Sequence, residues 1–165
     1  MSNGKWGKGL LLCGFLLLPA GVTAQSTIGS AATPITVTDL DGASVRLDAK
    51  ARGKPLLIEF WATWCDVCEA LLPSVRRAST RFGSRVDFVG VNVTVNESKA
   101  RVRRWVERER PPYRTVYDES GLAVRTFQAP VTSYVVIIDA QGIIRYTGVG
   151  EEQDLIKALE GVVGK

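Results

Sequence analysis

The chain has 165 residues, 45% of them hydrophobic, which is enough for one domain with its own core and no more. It contains no histidine, which excludes Ser–His and Cys–His nucleophiles, a Cys₂His₂ zinc site and a histidine-bearing copper-delivery site. With 21 Lys and Arg against 17 Asp and Glu, the net charge of +4 says little about partners.

The first 24 residues read as a secretory signal peptide. Lys5 and Lys8 form a basic n-region, residues 10–18 an apolar h-region, and Val22 and Ala24 place small residues before cleavage after Ala24. The apolar run is shorter than the roughly 20 residues of a membrane span, and an uncleaved anchor is the lesser alternative. Cys13 lies in the h-region without the small preceding residues of a lipoprotein signal, and reads as apolar filler. Lys5 and Lys8 are the only charges in this segment, so its removal lowers the formal charge by two and leaves two cysteines.

Residues 25–34, polar up to Thr33, read as a linker to a domain spanning 35–165. The β-branched runs Ile35–Thr38 and Ser44–Leu47 flank Asp41-Gly42 and read as a hairpin that lengthens the sheet. Residues 49–54 read as a basic loop. The short apolar run Leu56–Trp61 reads as a buried strand, and Val67, Leu71, Leu72, Val75 and Ala78 recur at helical spacing. That helix, from Glu69 to Phe82, ends at a C-cap glycine, Gly83. Residues 87–93 form the next expected strand, and 97–109 a helix stopped by Pro111-Pro112. Within it Val102, Trp105 and Val106 share a face, which leaves the arginines on a solvated side and not on a nucleic-acid site. A short edge strand at 113–116 and a short helix at 121–127 follow. Tyr134–Ile138 and 143–149 read as two strands around Ala140-Gln141-Gly142, and 151–163 as a closing amphipathic helix. The order predicts an α/β fold, a central mixed β-sheet flanked by helices on both faces.

The stretch Phe60-Trp61-Ala62-Thr63-Trp64-Cys65-Asp66-Val67-Cys68 therefore sits where a strand hands over to a helix. The first helical turn carries unpaired N–H groups and the positive end of the macrodipole, which favour a thiolate. A cysteine there, followed by another three residues on, has its pKa lowered from the free value of about 8.5. In an oxidising compartment, structural disulfides stabilise by closing long loops. A bridge over two intervening residues closes almost nothing, so the pair reads as redox chemistry.

This stretch resembles the active-site signature of the thioredoxin-fold superfamily, and in particular of exported TlpA-like thiol–disulfide reductases. Glu59 falls where thioredoxins keep a buried acid beneath the second cysteine, and Pro73 where their active-site helix carries a proline. The resemblance covers roughly residues 35–163 and implies a thioredoxin-like fold with an N-terminal β-hairpin extension. It departs from the family at one place. The cis-proline expected just before the strand at Tyr134 is replaced by Ser133, preceded by Thr132, unless a rearranged loop brings Pro130 into that role.

The resemblance implies a mechanism. Cys65 attacks a partner disulfide, Cys68 resolves the mixed disulfide, and Glu59 relays the proton that Cys68 must lose. Trp64, Thr132 and Ser133 are expected to bind substrate, the last two by offering backbone to an extended segment. Trp61 is expected to pack beneath the site. Asp66 disfavours the Cys65 thiolate and no histidine supports it, so the expected poise is reducing. The expected function is an exported, extracytoplasmic (periplasmic) thiol–disulfide reductase that needs no cofactor and no metal. Its expected partners are disulfide-bearing exported proteins and an upstream membrane electron donor, not nucleic acid, and it is expected to be a monomer. Cytochrome c maturation is the family's best-known task, and no residue here selects it. Two other readings use the same thiolates: an oxidase or isomerase of disulfide formation, and a carrier module for monovalent copper.

Overall fold

The computed structural model describes Met1 and residues 27–163. The expected signal peptide, Cys13 and the first two linker residues lie outside the described residues. The hairpin forms as expected, from β1 (Ile35–Thr38) and β2 (Ser44–Leu47), in the register Val37↔Val45. Residues 49–54 are not all loop. Asp48 accepts a hydrogen bond from the Ala51 N–H (3.0 Å) and caps a one-turn helix α1 (Ala49–Arg52), which Gly53 ends at φ 62°.

The chain then enters β3 (Leu56–Trp61), buried at every position. After it come α2 (Asp66–Phe82), β4 (Asp87–Asn92), α3 (Lys99–Glu109), β5 (Arg114–Tyr117) and α4 (Leu122–Thr126). β6 (Tyr134–Ile138), β7 (Ile144–Gly148) and α5 (Leu155–Val163) complete the order. The sheet runs β5-β4-β3-β6-β7, with β4 and β5 parallel to their neighbours and β6 and β7 antiparallel. A strand paired on both sides and covered on both faces needs a continuous apolar run, and β3 is that run with one exception, Glu59.

Side chains alternate across a strand, so β3 feeds two cores. Ile58 and Phe60 join Val91, Val116, Val136 and Phe127 under the hairpin, α1 and α4. Leu57 faces Leu71, Val75, Leu155 and Leu159 of α2 and α5. Trp61, on that same face, packs with Cys68 and Leu72 of α2 and stacks on Trp105 of α3 at 4.3 Å between ring centroids. Val102 and Trp105 are the buried side of α3, as the helical spacing predicts, and its arginines point outward. One of them, Arg103, reaches Asp41 (2.8 Å) and so ties α3 to the hairpin.

The hairpin does not extend the main sheet. It is a two-stranded sheet of its own that meets edge strand β5 at a single bridge, Asp39↔Val116. Part of the expected linker is engaged instead. The N–H of Gly29 bonds to Ile144, that of Ile144 to Ser30, and that of Ala32 to Gly142, all near 2.8–2.9 Å, beside β7.

Candidate active site

β3 and β4 end, and β6 begins, on one side of the sheet, and the loops there build the site. β3 ends at Trp61, and four residues later Cys65 becomes the N-cap of α2. Its sulfur accepts the backbone N–H of Cys68 at 3.1 Å, and its carbonyl accepts the N–H groups of Cys68 and Glu69. A 17-residue helix thus begins on the Cys65 sulfur. The orphan donors and the dipole of its first turn act on that atom, which is the arrangement that stabilises a thiolate.

Cys65 and Cys68 are joined as a disulfide. Both are nearly covered, at 8% and 4% exposure, while their neighbours Trp64 (46%) and Val67 (40%) stand in solvent. The indole of Trp64 thus stands exposed beside a shielded disulfide. Trp64 is fixed there by its Nε1–H, which donates to the carbonyl of Val95 at 2.7 Å.

Glu59 lies on the α2-facing side of β3, one pleat before Trp61. It is 1% exposed, and its Oε2 finds no hydrogen-bond partner among the described residues. Opposite it on β4 is Gly90, whose missing side chain makes room for the ring of Tyr113: a Cβ there would lie 2.3 Å from that ring. Burial alone pushes the Glu59 carboxyl up to about 8. Burial, then the nearby Glu59 charge, push the Tyr113 hydroxyl well above its ordinary range. A carboxyl so placed gains or loses a proton near neutral pH.

Ser133 opens β6. It is buried, its N–H donates to the carbonyl of Phe60 at 2.8 Å, and it adopts φ 61°. Among the described residues there is no cis peptide bond. Pro130 is exposed, and Thr132 half-buried, on the same loop. The place beside the end of β3 belongs to Ser133 and not to Pro130. A proline at 133 can neither reach a positive φ nor supply that N–H. Ser133→Pro is therefore expected to cost roughly 2–4 kcal/mol, through the orphaned Phe60 carbonyl and the forced loop. A urea midpoint equal to that of the unaltered protein would contradict this placement.

Sequence reasoning missed Glu97. Its carboxylate accepts from the backbone N–H (2.5 Å) and hydroxyl (3.0 Å) of Thr63, and from the amide of buried Asn92 (3.4 Å). The segment from Thr94 to Glu97 thereby braces both residues before Cys65: Val95 holds Trp64 and Glu97 holds Thr63. An acid just before a helix N-cap reads as ordinary capping sequence, and nothing local marks its reach across 34 residues.

Comparison with known proteins agrees with this geometry. The profile of the family described as Redoxin matches residues 27–163. The chain is 28% identical over 138 residues to thiol-disulfide oxidoreductase ResA of Geobacillus kaustophilus, covering 82% of this chain and 78% of that protein. It is 33% identical over 133 residues to thiol:disulfide interchange protein DsbE of Escherichia coli (strain K12), covering 77% of this chain and 68% of the relative. The solved thioredoxin domain of a thiol-disulfide oxidoreductase from Bacteroides vulgatus matches with a TM-score of 0.71 at 24% identity. That match covers 84% of this chain and 99% of that chain, and bears on the fold. A disulfide on the first turn of α2, in a thioredoxin-like sheet with these relatives, places the chain in the Redoxin family as a thiol–disulfide oxidoreductase.

Proposed function

We propose that the chain is an exported reductase that delivers electrons to disulfides of other extracytoplasmic proteins. The observation that carries this is the Cys65–Cys68 bridge at the start of α2, shielded itself but flanked by exposed Trp64 and Val67. The Cys65 thiolate attacks one sulfur of a partner disulfide; a Cys65–partner bond forms and the partner's own S–S bond breaks, releasing a partner thiolate. Cys68, deprotonated with Glu59 as acceptor, then attacks the Cys65 sulfur. The Cys65–Cys68 bond forms, the second partner thiolate leaves, and two electrons have passed to the partner. Trp64 supplies the apolar contact, and Thr132 and Ser133 the backbone against which an extended segment lies. An upstream membrane dithiol returns the pair to its reduced state, and export follows from the N-terminal segment.

The reducing direction rests on local charge. Asp66 and Glu69 stand in the first turn of α2, where they oppose a thiolate at Cys65, and the chain has no histidine to favour one. The equilibrium potential of the pair, titrated against dithiothreitol, is expected below about −200 mV, in the range of reductases and thioredoxins. A value near about −120 mV, where strong periplasmic oxidants lie, would reverse the assignment. Relatives named thiol-disulfide oxidoreductase and thiol:disulfide interchange protein support the chemistry in either direction.

A further inference from the structure

We infer that Gln153 is a positioning residue for this exchange: its buried amide latches the Ser133 loop to the turn between β7 and α5, and so sets how well an extended disulfide-bearing segment is held. The inference rests on the proposed function, since it concerns the partner of the same two cysteines.

Ser133 is not glycine, yet it sits at φ 61°, a conformation that persists only where surroundings enforce it. The surroundings are a closed polar network. The Ser133 N–H donates to Phe60 (2.8 Å), its hydroxyl accepts the Gly150 N–H (3.1 Å), and its carbonyl accepts Nε2 of Gln153 (3.0 Å). Nε2 also donates to the Gly150 carbonyl (2.7 Å), and Oε1 accepts from the Tyr146 hydroxyl (3.2 Å). The amide thus uses both of its donors and its acceptor inside the protein. Gly148 leaves the space: a Cβ there would lie 2.2 Å from the Tyr146 hydroxyl and 2.5 Å from Gln153 Oε1. One side chain therefore joins the start of β6, the end of β7 and the approach to α5.

The residue next to this latch is the one left open. Thr132 is half-buried, and its backbone N–H and C=O have no partner among the described residues; Val131 beside it is exposed. The Phe60 contact sets this loop at the end of β3, from which the chain runs directly to Cys65. A held Thr132 can pair with a visiting strand, whereas a released loop must be ordered at each encounter, which weakens apparent affinity by the fraction of time the loop is in place. A small disulfide that meets only the sulfurs does not need the loop.

The test compares two substrates in single-turnover reactions of the reduced full chain: a short synthetic peptide closed by one disulfide, and glutathione disulfide. For Gln153→Met the half-saturating peptide concentration is expected to rise about 5- to 10-fold with the maximal rate within twofold. The rate with glutathione disulfide and the Cys65–Cys68 potential are expected to stay within twofold and unchanged, respectively. Tyr146→Phe, which removes one hydrogen bond and no packing, is expected to show the same split at about two- to threefold, and decides the matter if Gln153→Met does not fold. Equal losses with both substrates, or no loss with either, overturn the positioning role. Failure of the unaltered protein to exchange with the peptide overturns the proposed function instead.

Discussion

Cys68→Ala is expected to convert a turning-over enzyme into a trap. With insulin as the disulfide substrate, the variant should form a covalent adduct through Cys65, stable without added thiol and released by dithiothreitol. Turnover should fall by about 10³-fold or more. The reasoning is one of effective concentration. Cys68 lies one helical turn from Cys65, close enough to form the bridge seen here, and an oriented intramolecular nucleophile acts as if present far above 1 M. Millimolar external thiol is a poor substitute. Cys65→Ala is expected to give no adduct, because the group under the influence of the α2 N-terminus has gone: its sulfur is the atom that accepts the Cys68 N–H. Mass spectrometry of the two variants after mixing with insulin separates the roles. Adducts on Cys65→Ala but not on Cys68→Ala would exchange the attacking and resolving assignments.

How far the sequence reaches is clearest at this same corner. The run Leu56–Trp61 and the helical spacing after Cys68 are dense local signals, and together they placed the two cysteines at the strand–helix junction that the structure shows. Other parts were not legible, for different physical reasons. α1 is a single turn, too short to carry a period, and only Asp48 as a cap announces it. Gly29 to Ala32 looked like linker because composition cannot report backbone pairing to a strand more than 100 residues later. Glu97 and Gln153 act through side-chain hydrogen bonds to Thr63 and Ser133, which only the closed fold brings within reach. The sequence pointed to the loop before Tyr134, but the conformation that Ser133 adopts there and the amide that holds it were not legible.

Glu59 carries the other large expectation, because one substitution should raise stability and lower activity. In the folded oxidised protein its carboxyl is pushed up to about 8 by burial, against an ordinary 4.5 expected in the unfolded chain. Between those values the folded state holds a proton that the unfolded state has released. Stability therefore falls as pH rises through the window from about 4.5 to 8, and the contribution present at low pH is gone above it. The other shifted groups do not mask this. Asp39, Asp48 and Asp139 are held below their ordinary range, so from about pH 5 upward they are almost wholly ionised in both states, while Tyr113 titrates well above the window. At about 1.4 kcal/mol per pH unit across that window, the loss is on the order of 5 kcal/mol, a large share of a typical domain's 5–15. Urea unfolding of the oxidised protein from pH 5 to 9 should show this decline, and Glu59→Gln should flatten it and be the more stable protein above pH 8. The same variant cannot accept the Cys68 proton, so resolution of a Cys65–insulin mixed disulfide should slow on the order of 10- to 100-fold. A merely structural Glu59 would give the first result without the second. Parallel stability curves for the two proteins would mean that the carboxyl is not held neutral by its burial, and the relay would lose its physical basis.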